Sequence, residues 1–179
     1  MNIRFLISAV AFAAASLAQA QAFTLSSPDI AENRRLDKRQ VFQGFGCEGG
    51  NLSPALAWSN PPAGTKSFAI TVYDPDAPTG SGWWHWTLVN LPTTTNALPA
   101  GVGEQLPAGA VQGRNDFGSA QFGGACPPVG DKPHRYQFTV WALKVAKLPL
   151  DNQASGALVG YMLNANVLGK ATLTAVYGR

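Results

Sequence analysis

Two apolar runs at residues 67–73 and 87–91 predict a pair of strands, because their β-branched and aromatic side chains suit a pleated, half-buried surface. Between them Pro75, Pro78, Gly80 and Gly82 exclude helix and favour turns. Strand side chains alternate faces, so Asp74 shares a side with Phe68, Ile70 and Val72 and stands at the edge of an apolar surface. A third run, 135–145, carries Tyr136, Phe138, Val140 and Ala142 on one face and Trp141 and Leu143 on the other. That pattern predicts a central strand buried on both sides. Shorter strand-like pieces occur at 23–25, 40–42, 54–58 and 171–177, with one near 110–112 inside a long connection rich in Thr, Pro and Gly. The period changes at 155–166, where Leu158, Tyr161, Met162 and Ala165 recur at helical spacing behind Ser155, a suitable cap. This stripe is expected to meet the core. The prediction is a mostly β protein with peripheral helices, one of them C-terminal.

Composition narrows the picture. Of 179 residues, 46% are hydrophobic and only 13% charged, enough apolar material for one core in one domain. No internal repeat or linker divides the chain. Residues 1–20 run from Arg4 through Phe5, Leu6 and Ile7 to Ala18-Gln19-Ala20, which fits a secretory signal cleaved after Ala20, or alternatively after Ala22. A single mature domain at 21–179, periplasmic or secreted, with no later transmembrane segment, is the expectation. The formal charge of +3 becomes +2 once Arg4 is removed, and Arg34, Arg35, Lys38 and Arg39 form the one cationic cluster. Without a continuous basic stripe a nucleic-acid partner is not expected. The two cysteines, Cys47 and Cys126, are expected to pair if the chain is exported, the alternative being two buried free thiols. In the chain-entropy model such a loop stabilises by about 4–5 kcal/mol, less any strain. It would also tie the loop around residues 44–53 to the segment holding Pro127 and Pro128.

The candidate chemistry lies in two stretches. The first runs from Asp74-Pro75-Asp76-Ala77-Pro78 to Trp83-Trp84-His85-Trp86; the second is Ala125-Cys126-Pro127-Pro128 followed by His134-Arg135-Tyr136. His134 and Tyr136 are two apart on an extended chain and share a face. Taken singly, these residues also fit ordinary turn chemistry and buried tryptophan. The segment 113–118 reads first as an ordinary turn and second as a turn supporting the site.

Together, in this order and with Gly46-Cys47-Glu48-Gly49-Gly50-Asn51-Leu52-Ser53-Pro54, these motifs resemble the phosphatidylethanolamine-binding protein (PEBP) family over nearly all of the mature chain. Within it they resemble the bacterial Raf-kinase-inhibitor-like YbhB/YbcL branch, in particular its periplasmic YbcL-like members. The resemblance implies a large central antiparallel sheet packed on a smaller one, and a small surface anion pocket. Asp74, His85, His134 and Tyr136 match its lining, Asp76 and Trp83 its flanks, and Ala125 and Cys126 stand at the Pro-Pro loop that contributes backbone. The chain departs from the family pattern at Gly124-Ala125-Cys126, where relatives outside the bacterial branch carry Gly before the prolines. It departs again at Trp86, where eukaryotic relatives often carry a second His. On the residues alone, Asp74 would fix the tautomer of one imidazole and leave its opposite nitrogen for a ligand oxyanion.

These readings converge on an exported, non-enzymatic binding or modulator protein for phosphate-type groups: a phospholipid headgroup, a nucleotide or a phosphoprotein. No cofactor is implied. An inhibitor acting on a protease or other enzyme through its outer surface is the alternative, and a protein partner and oligomeric state stay open. Two enzymatic readings are weaker. Ser81 near Asp74 and His85 suggests a hydrolase, but it lies between glycines and lacks a nucleophile elbow. Asp74, His85 and His134 make a two-His, one-carboxylate set, without the sequence spacing of a metal motif.

Overall fold

The computed structural model describes residues 21–103 and 105–179, so the expected signal segment lies outside the described residues. The chain forms β1 (Thr24–Ser26), β2 (Gln43–Gly44), β3 (Cys47–Glu48), β4 (Leu56–Ser59), β5 (Ser67–Asp74), β6 (Trp83–Leu91), β7 (Ala97–Leu98), β8 (Val111–Gln112) and β9 (His134–Leu143). Helix α1 (Gly156–Asn166) and the long strand β10 (Val167–Tyr177) close it. Five strands make an antiparallel sheet in the order β10-β9-β5-β6-β8, three make a second sheet in the order β1-β4-β7, and β2-β3 is a small hairpin.

Alternation along β5 and β9 explains the layers. Phe68, Ile70 and Val72 join Tyr136, Phe138, Val140 and Ala142 in one buried cluster with Leu56 and Trp58 of the small sheet. The opposite face gathers Ala69, Val89, Trp141 and Leu143 under Val159 and Leu163 of α1. The large sheet is therefore covered by the small sheet on one side and by the helix on the other, the mostly β architecture that the patterning predicts. No helix among the described residues is long and apolar enough to cross a membrane.

Three expectations need correction. Residues 40–42 are not a strand: Asp37 caps a 3-10 turn at Lys38–Gln40 by accepting from the Arg39 N–H, and Val41 makes only an isolated bridge to Ala125. The strand after the site turn starts at Trp83 rather than residue 87, so the tryptophans and His85 belong to sheet, not turn. The helix is present and capped by Ser155, but its buried face is Gly156, Val159, Gly160 and Leu163. Leu158 is 46% and Tyr161 72% exposed, and Ala165 is exposed as well, so of the predicted stripe Met162 alone packs against the core. The cause is close approach: a Cβ on Gly156 would sit 2.1 Å from Cγ of Trp84, so the helix docks through its glycines.

Candidate functional site

Strand β6 carries one more residue than β5 near its start. Val72 pairs with Trp86 and Tyr73 with Trp84, leaving His85 between them without a partner on β5. Such a bulge breaks the period of two and re-aims the side chain. Trp84 thereby packs against the helix while Trp86 enters the first core, and His85 turns toward the end of the sheet.

A cavity of about 200 Å³ opens there. Its floor combines Asp74 from the end of β5, Trp83 and His85 from β6, and His134 and Tyr136 from the start of β9. Five of the sequence-predicted residues thus meet in one hollow. Cys126 also lines it. Asp76 and Ala125 do not. Asp76 lies outside the lining and takes Arg135 in a fork, Nε to Oδ2 and Nη2 to Oδ1 both at 2.8 Å, and that guanidinium holds its carboxyl down to about 2. Ala125 is buried between backbone partners, donating to the Gln40 carbonyl and accepting from the Phe42 N–H, each at 3.0 Å. A Cβ at neighbouring Gly124 would lie 2.4 Å from the Gln40 carbonyl oxygen, so only glycine allows these two segments to touch.

The two histidines differ. His85 is buried and its Nδ1 lies 2.9 Å and 3.1 Å from the carbonyls of Gly123 and Gly124, so Nδ1 carries the proton and donates. Nε2 is left as the open nitrogen. Burial pushes this imidazole below its ordinary value of 6.5, opposed by those carbonyls and by the charges of Asp74 and Asp116. His134 has no open nitrogen. Its Nδ1 donates to Oδ2 of Asp74 at 2.8 Å and its Nε2 faces Oδ2 of Asp131 at 3.2 Å. The expected division, one imidazole held by Asp74 with its far nitrogen free for ligand, therefore fails for His134, because Asp131 occupies that side. Asp74 is fully engaged too, its Oδ1 accepting from the Asp76 N–H at 2.8 Å to close the turn.

Two donors remain without partners. The Tyr136 hydroxyl and the Trp83 indole N–H are both buried and make no hydrogen bond. Desolvation, reinforced by the charge of Asp74, pushes the Tyr136 phenol well above its ordinary value, so it stays a neutral donor. The cavity lining thus holds a hydrogen-bonded acid–imidazole pair, one open imidazole nitrogen and two unpartnered donors. That arrangement can receive an oxygen-rich group.

The walls include Phe45, Phe117, Pro78, Pro127 and Pro128; the prolines belong to the two stretches the sequence singles out and Phe117 to the 113–118 turn, whereas Phe45 stands outside them. The 113–118 turn does support the site. Asp116 accepts from the Trp84 N–H through Oδ2 at 2.7 Å, and Phe117 stands 5.4 Å from the His85 ring. The Cys47–Cys126 disulfide ties the β2-β3 hairpin to the Pro-Pro loop. Arg179 reinforces that tie, donating to the carbonyls of Pro127 at 2.6 Å and Gly46 at 2.8 Å. A lone C-terminal arginine gives no sequence signal of this role; a phenylalanine between glycines at position 45 does give one. Ser81 is exposed and outside the cavity, and among the described residues no three His, Cys, Asp or Glu side chains are placed so that they could hold a metal ion.

The phosphatidylethanolamine-binding protein family model matches residues 26–178. The YbcL protein of Escherichia coli K12 is 65% identical over 164 residues, covering 89% of this chain and 90% of that protein. YbhB of the same organism is 51% identical over 156 residues, covering 86% and 98%. The crystal structure of E. coli YbcL, described as a member of the mammalian PEBP family, superposes with a TM-score of 0.86 at 63% identity over 88% of this chain and 98% of that one.

Proposed function

The chain belongs to the phosphatidylethanolamine-binding protein family, and from that premise we propose that it works by binding rather than turnover, its cavity holding a phosphate-type oxyanion. The observation that carries this reading is that Tyr136, a residue lining the cavity, has a buried hydroxyl without a partner. An unpaired buried hydroxyl destabilises a fold by about 1–3 kcal/mol, and of the five unpaired buried side-chain atoms found among the described residues only those of Tyr136 and Trp83 belong to residues that line the cavity. The Trp83 N–H supplies a second donor. Both oxygens of Asp74 are already engaged, Oδ2 by the His134 ring and Oδ1 by the Asp76 N–H, so neither is left to face the ligand. His85 completes the set by taking a proton on Nε2 as the anion arrives and donating to it.

Binding is proposed to occur outside the cytoplasm, a reading supported by the apolar segment at 1–20 and by the disulfide. The family name points to a phospholipid headgroup as one source of the phosphate. The test is a titration with inorganic phosphate, followed by amide chemical shifts, of the wild type and Tyr136→Phe. The substitution removes one oxygen that bonds nothing, so the fold should gain up to about 1 kcal/mol while phosphate affinity falls about tenfold. Unchanged affinity in the variant would rule the hydroxyl out of the site.

A further inference from the structure

Phe45 is placed against its own interests. Its backbone has φ +52, the left-handed region that L-residues with bulky side chains avoid, and the residue is 70% exposed. A residue that strains the chain and stays this exposed contributes little to folding, and backbone strain of this kind gathers at ligand clamps. The position is nonetheless held firmly. The disulfide at Cys47, the Arg179 contact with the Gly46 carbonyl and the ring contact with Phe42, centroids 5.8 Å apart, fix the tip of the hairpin. What the ring does is wall the cavity, in a panel with Phe117 at 5.6 Å, which in turn meets Trp83 edge-on at 5.3 Å. Volume agrees with a larger guest than an inorganic anion. A water takes roughly 30 Å³, so four oxygens of a tetrahedral head take at most ~120 Å³. The cavity of about 200 Å³ leaves room beside them, against aromatic walls.

We propose that Phe45 is a specificity-determining residue, selecting oxyanions that carry a flat aromatic body which packs against the rings of Phe45 and Phe117 while the head meets Tyr136, Trp83 and His85. The inference rests on the oxyanion reading above. Ring–ring packing of this kind is directional and adds to simple burial, so an aryl ester should gain where an alkyl ester of the same charge does not.

Methyl phosphate and phenyl phosphate, titrated by calorimetry, separate head from body, and dihexanoyl phosphatidylethanolamine separates an aromatic body from a lipid one. Phenyl phosphate is expected to bind the wild type at least about tenfold more tightly than methyl phosphate. In Phe45→Ala that preference should shrink below about twofold, with methyl phosphate unchanged, since the ring touches only the body of the ligand. Phe45→Asn, which suits the left-handed backbone, should behave as Phe45→Ala and excludes a folding defect as the cause. Equal binding of the two esters by the wild type, a preference that survives both substitutions, or a lipid that binds more tightly than phenyl phosphate regardless of Phe45, would overturn the assignment while leaving the oxyanion site in place. Binding of none of the three would remove both.

Discussion

Nδ1 of His134 donates to Oδ2 of Asp74 across 2.8 Å with both side chains almost sealed from solvent, joining positions 60 residues apart. The pair locks the end of β5 to the start of β9, and through Nε2 it reaches Asp131 on the adjoining loop. Removing the imidazole leaves the buried Asp74 carboxylate without its partner, whereas replacing Asp74 by Asn removes the charge and keeps one oxygen to accept from the ring or from the Asp76 N–H. His134→Leu is therefore expected to lose about 3 kcal/mol of stability, and Asp74→Asn only about 1–2 kcal/mol. Urea unfolding of both variants decides it, and equal losses would show that the buried acid is not what makes the histidine necessary.

The pH dependence of binding follows from His85. Burial places its imidazole below 6.5 in the ligand-free protein, and the facing groups are Asp74 on β5, Asp116 on the supporting turn, His134 and Tyr136 on β9, and the carbonyls of Gly123 and Gly124. Between the lowered folded value and the ordinary unfolded one, the unfolded chain binds the extra proton. The contribution of this group to stability is thus whole above pH 6.5 and declines as pH falls toward the folded value. An anion reverses the preference by favouring the imidazolium. Sulfate, which does not itself titrate in this range, should weaken by up to about tenfold per pH unit above the folded value. In His85→Gln the slope should vanish, and a wild-type sulfate affinity independent of pH would exclude proton uptake at this ring.

How much of this was legible in the sequence depended on whether local periodicity survives into the fold. Strands β5 and β9 keep an unbroken period of two, so the shared face of Asp74 with Val72 and of His134 with Tyr136 could be read directly, and the layers followed. His85 was legible only through its family motif, because the extra residue in β6 breaks the alternation just where the side chain is re-aimed. The cavity walls were harder. Phe45 and Phe117 sit in turns outside any periodic run, and their meeting depends on the disulfide, Arg179 and the Asp116 contact, none of them a local pattern. The helix failed differently: a hydrophobic count scores glycine as empty, yet Gly156 and Gly160 are what the helix presents to Trp84.

That glycine face separates two substitutions that look alike in sequence. A Cβ at Gly156 would lie 2.1 Å from Cγ of Trp84, a clash that a side chain in the packed strand cannot absorb, whereas at Gly160 the nearest indole atoms stand at 3.3 Å. Trp84 has little freedom to retreat, since its own N–H is held by Asp116 at 2.7 Å and its strand carries His85 next in line. Gly156→Ala is expected to lose about 1–3 kcal/mol through overpacking. At Gly160 the helix propensity gained by Ala, about 1 kcal/mol, roughly offsets the tighter contact and leaves stability near wild type. Because the Trp84 shift would be passed to the bulge, Gly156→Ala should also weaken phosphate binding while Gly160→Ala does not. Thermal unfolding with a parallel phosphate titration checks both, and equal effects at the two positions would mean that the helix does not fix the bulge through Trp84.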